Sequence, residues 1–445
     1  MEVVLISTYD LGRQPFGLAS PAAFLRAAGH RVRCVDMTRT ALTDESIRAA
    51  SLVALFLPMH TATRLALPVI DRVRTVNPAA HVCAYGLYAP LNAGILRAHG
   101  VQTVLGPEFE HDLAAVAQAG TGGPARAVER GSLPRVRFIV PDRSDLPPLV
   151  KYASLQIGDE RRVAGYTEAT RGCKHRCRHC PIVPVYDGRF RAVDAEVVLA
   201  DIRAQVAAGA QHITFGDPDF FNGPTHALKI VDVMANAFPG LTYDVTIKVE
   251  HLKQQASLLP RLRETGCAFV TCAVESFDDA VLERLEKGHT HADFIEVVEH
   301  CRAAGLPLSP TFVAFTPWTT RGGYLAMLHE IDRLGLIPAV SPIQYAIRLL
   351  IPQGSRMLEL ADVRARIDRF DAGSLTHSWR HADPAVDDLQ QAIERVVGGR
   401  LNAPREEVFA RVWDLAHGAA AIPAPVRTPL LSRAAVPYLN EPWYC

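Results

Sequence analysis

Long hydrophobic runs are missing from this 445-residue chain. The longest, such as residues 51–58, fall far short of the roughly 20 apolar residues that cross a bilayer, so no membrane partner is expected. The opening M-E-V-V-L-I-S-T-Y-D lacks a basic leader, an h-region and a cleavage site, and reads as a first buried strand. Net charge is missing too. The 47 Lys and Arg balance 47 Asp and Glu, which argues against nucleic-acid binding driven by bulk positive charge. The nine cysteines are odd in number and follow no framework spacing. A disulfide scaffold is therefore excluded, and a reducing, cytoplasmic setting is expected. No repeat of solenoid period and no low-complexity tract occurs.

What the chain does have is alternation. Residues 3–7 form a continuous apolar, β-branched run, as expected of a parallel strand covered on both faces. A helix over 22–28 ends at Gly29, further strands are expected at 32–36, 52–57, 81–85 and 101–105, and a helix near 64–76. Repeated βα units of this length predict an α/β domain, a doubly wound parallel sheet, over residues 1–118. Ligands of such sheets sit at the carboxyl ends of the strands, here residues 8–16, 58–63 and 85–88. Around residues 120–145 the composition shifts to Gly, Pro, Arg and Ser, so a linker is expected over 119–160. Strands at 211–216, 243–249, 269–274, 309–315 and 339–350, separated by helical stretches, predict a partial or full (β/α) barrel over 161–352. Helices at 357–369, 385–397 and 405–416 predict a small helical carboxyl-terminal cap over 353–445.

Residues 167–181 read T-E-A-T-R-G-C-K-H-R-C-R-H-C-P and place Cys173, Cys177 and Cys180 in C-x3-C-x2-C spacing. Three thiolates on one loop hold three irons of a [4Fe–4S] cubane and leave the fourth open to a small chelating ligand. Zinc and a redox disulfide are the competing readings of three thiols. Structural zinc sites bring a second Cys/His pair, whereas Cys267 and Cys272 lie in an apolar run that reads as strand or core.

This loop resembles the signature of the radical S-adenosylmethionine (radical SAM) superfamily, over roughly residues 166–351. The resemblance implies that Cys173, Cys177 and Cys180 hold the cluster, and that SAM chelates the open iron through its amino and carboxylate groups. It implies that Gly216 and Asp217, in G-D-P-D, meet the SAM amino group, with Lys248 approaching its carboxylate or ribose. Glu275 and Ser276, in V-E-S, approach SAM after their strand. His179 stands where family members often carry an aromatic residue beside the adenine. The resemblance also implies a small-molecule substrate and a reducing electron donor such as flavodoxin or ferredoxin. The opening P-F-G-L-A-S-P-A-A-F-L-R-A-A-G-H-R-V is similar to cobalamin-binding domains that precede radical SAM domains. No D-x-H-x-x-G motif supplies a cobalt ligand, and His60 reads as a hydrogen-bonded loop residue. Cobalamin bound without histidine and a degenerate domain both stay open.

The two ends of the chain, S-T-Y-D-L-G-R-Q-P-F-G-L-A-S-P and E-P-W-Y-C, resemble a radical SAM subgroup whose tails continue into Cys- or selenocysteine-Ala-Glu-Pro. That subgroup resembles the radical enzyme of arsinothricin biosynthesis. The resemblance implies transfer of the 3-amino-3-carboxypropyl group of SAM to trivalent arsenic held by the thiol of Cys445. Cobalamin-dependent radical methylation and a metal-binding module without turnover are the alternatives.

Overall fold

This is a computed structural model, and it describes residues 1–120, 133, 135–400, 403–418 and 438–439. Cys445 lies outside the described residues.

The amino-terminal strands β1 (Glu2–Ser7), β2 (Arg31–Asp36), β3 (Leu52–Phe56), β4 (His81–Tyr85) and β5 (Thr103–Val104) form one parallel sheet in the order β2-β1-β3-β4-β5. Both faces are covered by apolar clusters, which is why the inner strands β1 and β3 read as apolar runs, while edge strand β2 keeps Arg31 and Arg33 exposed. The first helix begins at Phe16 and runs to Ala27, through Pro21. Expecting it to start after the proline follows the usual breaker rule. The structure tolerates Pro21 because the carbonyl left without its helical N–H, that of Gly17, accepts from the Tyr85 hydroxyl at 2.8 Å.

The second sheet has the order β13-β12-β11-β10-β7-β6-β16. Its parallel strands are β7 (Glu160–Thr167), β10 (His212–Phe215), β11 (Thr242–Ile247), β12 (Cys267–Glu275) and β13 (Leu308–Phe312). On the other edge, β6 (Ser154–Ile157) pairs antiparallel to β7, and β16 (Tyr438–Leu439) antiparallel to β6. Leu155 of β6 packs on Ala268 and Phe269 of β12, with three strands between them, so the sheet curls into a half-barrel. A small ribbon of β8 (Thr170–Gly172) and β9 (Phe190–Ala192) brackets the cysteine loop.

Three expectations are corrected. β6 lies inside the stretch read as linker: the linker composition ends before residue 154, and the hairpin with β7 belongs to the second sheet. Residues 339–350 carry a 3-10 turn, Pro342–Tyr345, and only a bridge of Arg348 to Phe315 in place of a strand. Residues 357–369 are not one helix but two short turns followed by β14 (Ile367–Asp371), hairpinned to β15 (Thr376–Trp379). Trp379 drives that choice, donating its indole N–H to the Leu349 carbonyl at 2.8 Å beneath the Arg348 guanidinium. The helices Pro384–Gly398 and Arg405–His417 complete the cap. No helix among the described residues is long and apolar enough to cross a membrane.

Candidate active site

The carboxyl ends of the two sheets face each other. Arg143 joins them, donating to Gln14 Oε1 at 2.9 Å, to the Tyr166 carbonyl at 2.7 Å and to Asp201 at 2.9 Å. Arg171 makes a second joint. Its guanidinium meets buried Glu110 at 2.6 Å and half-buried Glu168 at 2.7 Å, with buried Glu108 at 3.9 Å. Two of these carboxylates follow β5 and the third follows β7, so one cation serves both domains. Burial works against its charge, but Glu110, Glu168 and Glu108 hold its proton more tightly than usual.

β8 delivers the chain into Cys173. The loop is fastened by its backbone: Lys174 N–H donates to Asn222 Oδ1 at 3.1 Å, Arg178 N–H to the Leu285 carbonyl at 2.8 Å, and Cys180 N–H to the Cys177 carbonyl at 3.1 Å. All three thiols are free and at least partly buried. Burial pushes Cys173 up to about 11 and Cys180 to about 12; neighbouring thiolates push further, and Lys248 and Lys287 respectively pull back. The sulfurs therefore sense one another in one pocket. They are not gathered around a point, since no three thiols lie mutually within 4.8 Å among the described residues. Around one zinc, sulfurs at about 2.3 Å from the metal lie closer together than that.

Each flank of the loop is built from a histidine, a lysine and a carboxylate. On one flank His179 Nε2 is 3.4 Å from Glu275 Oε1, which also receives Lys287 Nζ at 3.2 Å. Burial alone would raise Glu275; Lys287 and His179 instead bring it down to about 2. Glu275 takes a φ of 71°, at a register shift between β12 and β13, a strained conformation for a side chain with a Cβ. On the other flank Lys248 Nζ lies 3.0 Å from Glu250 Oε2 and 3.2 Å from His175 Nδ1. Burial, then Lys248 and His251, lower His175 to about 4.

Two expected SAM contacts have other tasks in the structure. Asp217 already has donors on both oxygens, Thr170 Oγ1 at 2.6 Å and Ala169 N–H at 2.9 Å, and so braces β8. Burial still lifts it to about 7. Ser276 Oγ accepts from Asp278 N–H at 3.0 Å and shapes the turn after β12. Gly216 is a matter of space: a Cβ there would fall 1.8 Å from the Tyr166 hydroxyl.

A cavity of about 490 Å³ fills the gap between the sheets. Asp10, Arg13 and Phe56 line it from the amino-terminal domain, and Glu168, Gly216 and Asp217 from the half-barrel. It continues over the concave face past Thr246, Thr271 and Ser309 to Arg405 and Tyr438.

Residues 167–320 match the Radical SAM superfamily. The chain carries a radical SAM domain. A domain of this kind implies a [4Fe–4S] cluster and SAM, and Cys173, Cys177 and Cys180 supply three thiols on one loop. Among curated relatives, a tRNA-2-methylthio-N(6)-dimethylallyladenosine synthase of Desulfosudis oleivorans is 29% identical over 45% of this chain and 44% of its own. A ribosomal protein uS12 methylthiotransferase of Geobacter sulfurreducens is 24% identical over 47% and 52%. The chain thus spans about half the length of such relatives. Among solved structures, the cobalamin-dependent radical SAM enzyme OxsB superposes with a TM-score of 0.69 at 14% identity, covering 90% of this chain and 67% of that one. The radical SAM methyltransferase TsrM of Kitasatospora setae gives 0.62 at 18% identity, covering 83% and 79%. These likenesses show that the parallel sheet and radical SAM half-barrel share an architecture with those enzymes.

The crevice where a doubly wound sheet binds ligands lies between β1 and β3, where the strand order reverses. Here the Phe56 ring packs so closely on Gly17 that a Cβ would meet it at 2.2 Å. His60 is committed elsewhere, with Nε2 2.6 Å from the Ser374 carbonyl. Among the described residues, those at this crevice thus offer cobalt no imidazole.

Sequence reasoning passed over Lys287, Arg171 and Asp10. Lysine and arginine are surface residues by default, and only the fold shows which are buried and paired. The signal for Lys287 was faint: E-K-G-H directly after a short amphipathic helix.

Proposed function

We propose that this chain cleaves SAM reductively at a [4Fe–4S] cluster held by Cys173, Cys177 and Cys180, and transfers the 3-amino-3-carboxypropyl group to thiol-bound trivalent arsenic in organoarsenical (arsinothricin) biosynthesis. The single observation that carries the first half is the set of three thiols on one loop, each at least partly buried, between Lys248 and Lys287. The cluster, when bound, supplies the electron that opens a carbon–sulfur bond of SAM. The chain's own part is to hold, orient and shield. Lys287 and Lys248 set positive charge beside the thiolates. His179 borders the adenine side, while Gly216, Asp217, Lys248, Glu275 and Ser276 line the approach of SAM. The substrate is a small molecule, the electron comes from a flavodoxin or ferredoxin, and the setting is the cytoplasm.

For the second half, the support is the direction of β16. It runs parallel to β7, toward the end of the half-barrel that carries the cysteine loop. Cys445 follows six residues beyond Leu439, a reach of roughly 20 Å when extended. A thiol is a soft ligand suited to a thiophilic centre.

A second reading, cobalamin-dependent radical methylation, is favoured by the shared architecture with OxsB and TsrM. One assay separates the two: anaerobic protein with dithionite and SAM, with and without arsenite. Arsenite-dependent 5′-methylthioadenosine supports aminocarboxypropyl transfer. 5′-Deoxyadenosine alone indicates the ordinary adenosyl radical, and neither product removes both readings.

A further inference from the structure

Beside the cysteine loop, three further ligating side chains converge that the cluster does not use. His175 comes from the loop itself, Asp219 from the turn after β10, and His251 from the helix Val249–Gln254 after β11. One ligating atom of each lies within 4.8 Å of the other two. His175 Nε2 is 3.1 Å from His251 Nε2 and 3.7 Å from Asp219 Oδ2. His251 Nδ1 is 2.7 Å from the same Oδ2.

That last contact is the telling one. It is short, yet it is not a hydrogen bond: both His251 Nδ1 and Asp219 Oδ2 are buried without a hydrogen-bond partner. Leaving a carboxylate oxygen and an imidazole nitrogen buried and unsatisfied is costly. A buried imidazole nitrogen and carboxylate oxygen 2.7 Å apart match the edge of a coordination polyhedron. Nitrogen and oxygen ligands at about 2.0–2.2 Å from one ion are roughly 3 Å apart. The presentation is also fixed in advance. Asp219 Oδ1 accepts from Phe221 N–H at 3.1 Å, which turns Oδ2 toward the histidines. Behind His175, Nδ1 faces the Lys248–Glu250 pair, with Lys248 Nζ at 3.2 Å and Glu250 Oε2 at 3.5 Å, which fixes the ring's place.

We propose that His175, Asp219 and His251 form a mononuclear site for a divalent first-row transition ion, separate from the iron–sulfur cluster. Two imidazoles and one carboxylate suit Zn²⁺ and leave a coordination position open to a small ligand. An ion there ties the cysteine loop to the ends of β10 and β11. The site rests on these side chains and not on the proposed reaction, so either stands if the other fails.

The test is metal analysis of the anaerobic, cluster-loaded full chain after equilibration with Zn²⁺ and gel filtration. The expected result is about one zinc per chain beyond the cluster iron, lost in His251→Gln and in Asp219→Asn while iron is kept. No retained zinc in the wild type, or zinc retained equally by both variants, overturns the site. Should the variants lose iron as well, zinc-edge X-ray absorption of the wild type decides. Nitrogen and oxygen neighbours alone support the assignment, and sulfur neighbours overturn it by placing the zinc on the cysteines.

Discussion

Lys287 Nζ lies 3.2 Å from Glu275 Oε1, and this buried ion pair closes one side of the cysteine loop. Glu275 holds the lysine charged against the cost of burial, with Cys177 helping. His179 leans on the same carboxylate, and across the loop His175 stands in the same relation to Lys248 and Glu250. The two histidines, which a basic sequence context makes look solvated, are only 14% and 15% exposed. The loop is set between two lysine–carboxylate pairs, so its electrostatics belong to the fold and not to solvent.

Replacing Lys287 by Met removes a cation next to Cys177 and Cys180 and leaves Glu275 unpaired. The reduced cluster carries one more negative charge than the oxidised one, so losing the cation makes reduction harder. The midpoint potential is expected to fall by about 60 mV for each 1.4 kcal/mol of lost stabilisation. A redox titration followed by electron paramagnetic resonance measures it; an unchanged or raised potential contradicts the role.

Arg171→Ala leaves Glu110 and Glu108 buried, and Glu168 half-buried, without their cation. Breaking a buried pair from one side costs about 3–5 kcal/mol. Because the carboxylates come from both domains, the expected result is a lower urea midpoint of the anaerobic protein. A midpoint within error of the wild type would show that the joint carries no load.

Gly216→Ala drives a methyl group into the Tyr166 ring. Overpacking of this kind costs about 1–3 kcal/mol. Tyr166→Ala combined with it makes room, so the double variant is expected to lose less than the two single changes summed. Strict additivity in thermal unfolding would mean that the two positions do not compete for space.

Asp10, in the cavity, is raised from 3.8 to about 7 by burial, against the pull of Arg13. The folded state therefore binds the proton more tightly than the unfolded chain. That contribution is complete below the unfolded value and is lost as pH rises to about 7. On the order of 4 kcal/mol is at stake. The wild type is expected to lose more stability between pH 4 and pH 8 than Asp10→Asn does, and parallel unfolding curves for the two would contradict this.

The strands that were legible are those buried on both faces: the apolar runs at 3–7, 52–57 and 81–85 announce parallel strands whatever surrounds them. Elements that depend on distant partners were not. β6 is read as strand only beside β7, and the turns replacing the expected helix at 357–369 depend on Trp379 packing beneath Arg348. The site divides the same way. Cys173, Cys177 and Cys180 are close in sequence and visible in spacing alone. Arg171 with Glu110, and Lys287 with Glu275, are pairs made by the fold, and no local pattern marks them. Asp217 has a part no motif shows: its oxygens accept from Thr170 Oγ1 and Ala169 N–H while the residue also lines the cavity.

The central claim is that three thiols leave one iron of the cluster open to SAM. It is tested most directly by the electron paramagnetic resonance spectrum of the dithionite-reduced, anaerobically reconstituted protein before and after addition of SAM. The account predicts a [4Fe–4S] signal that shifts with SAM and is absent in Cys177→Ala. Zinc in place of iron, or a cluster signal that SAM leaves untouched, would contradict it.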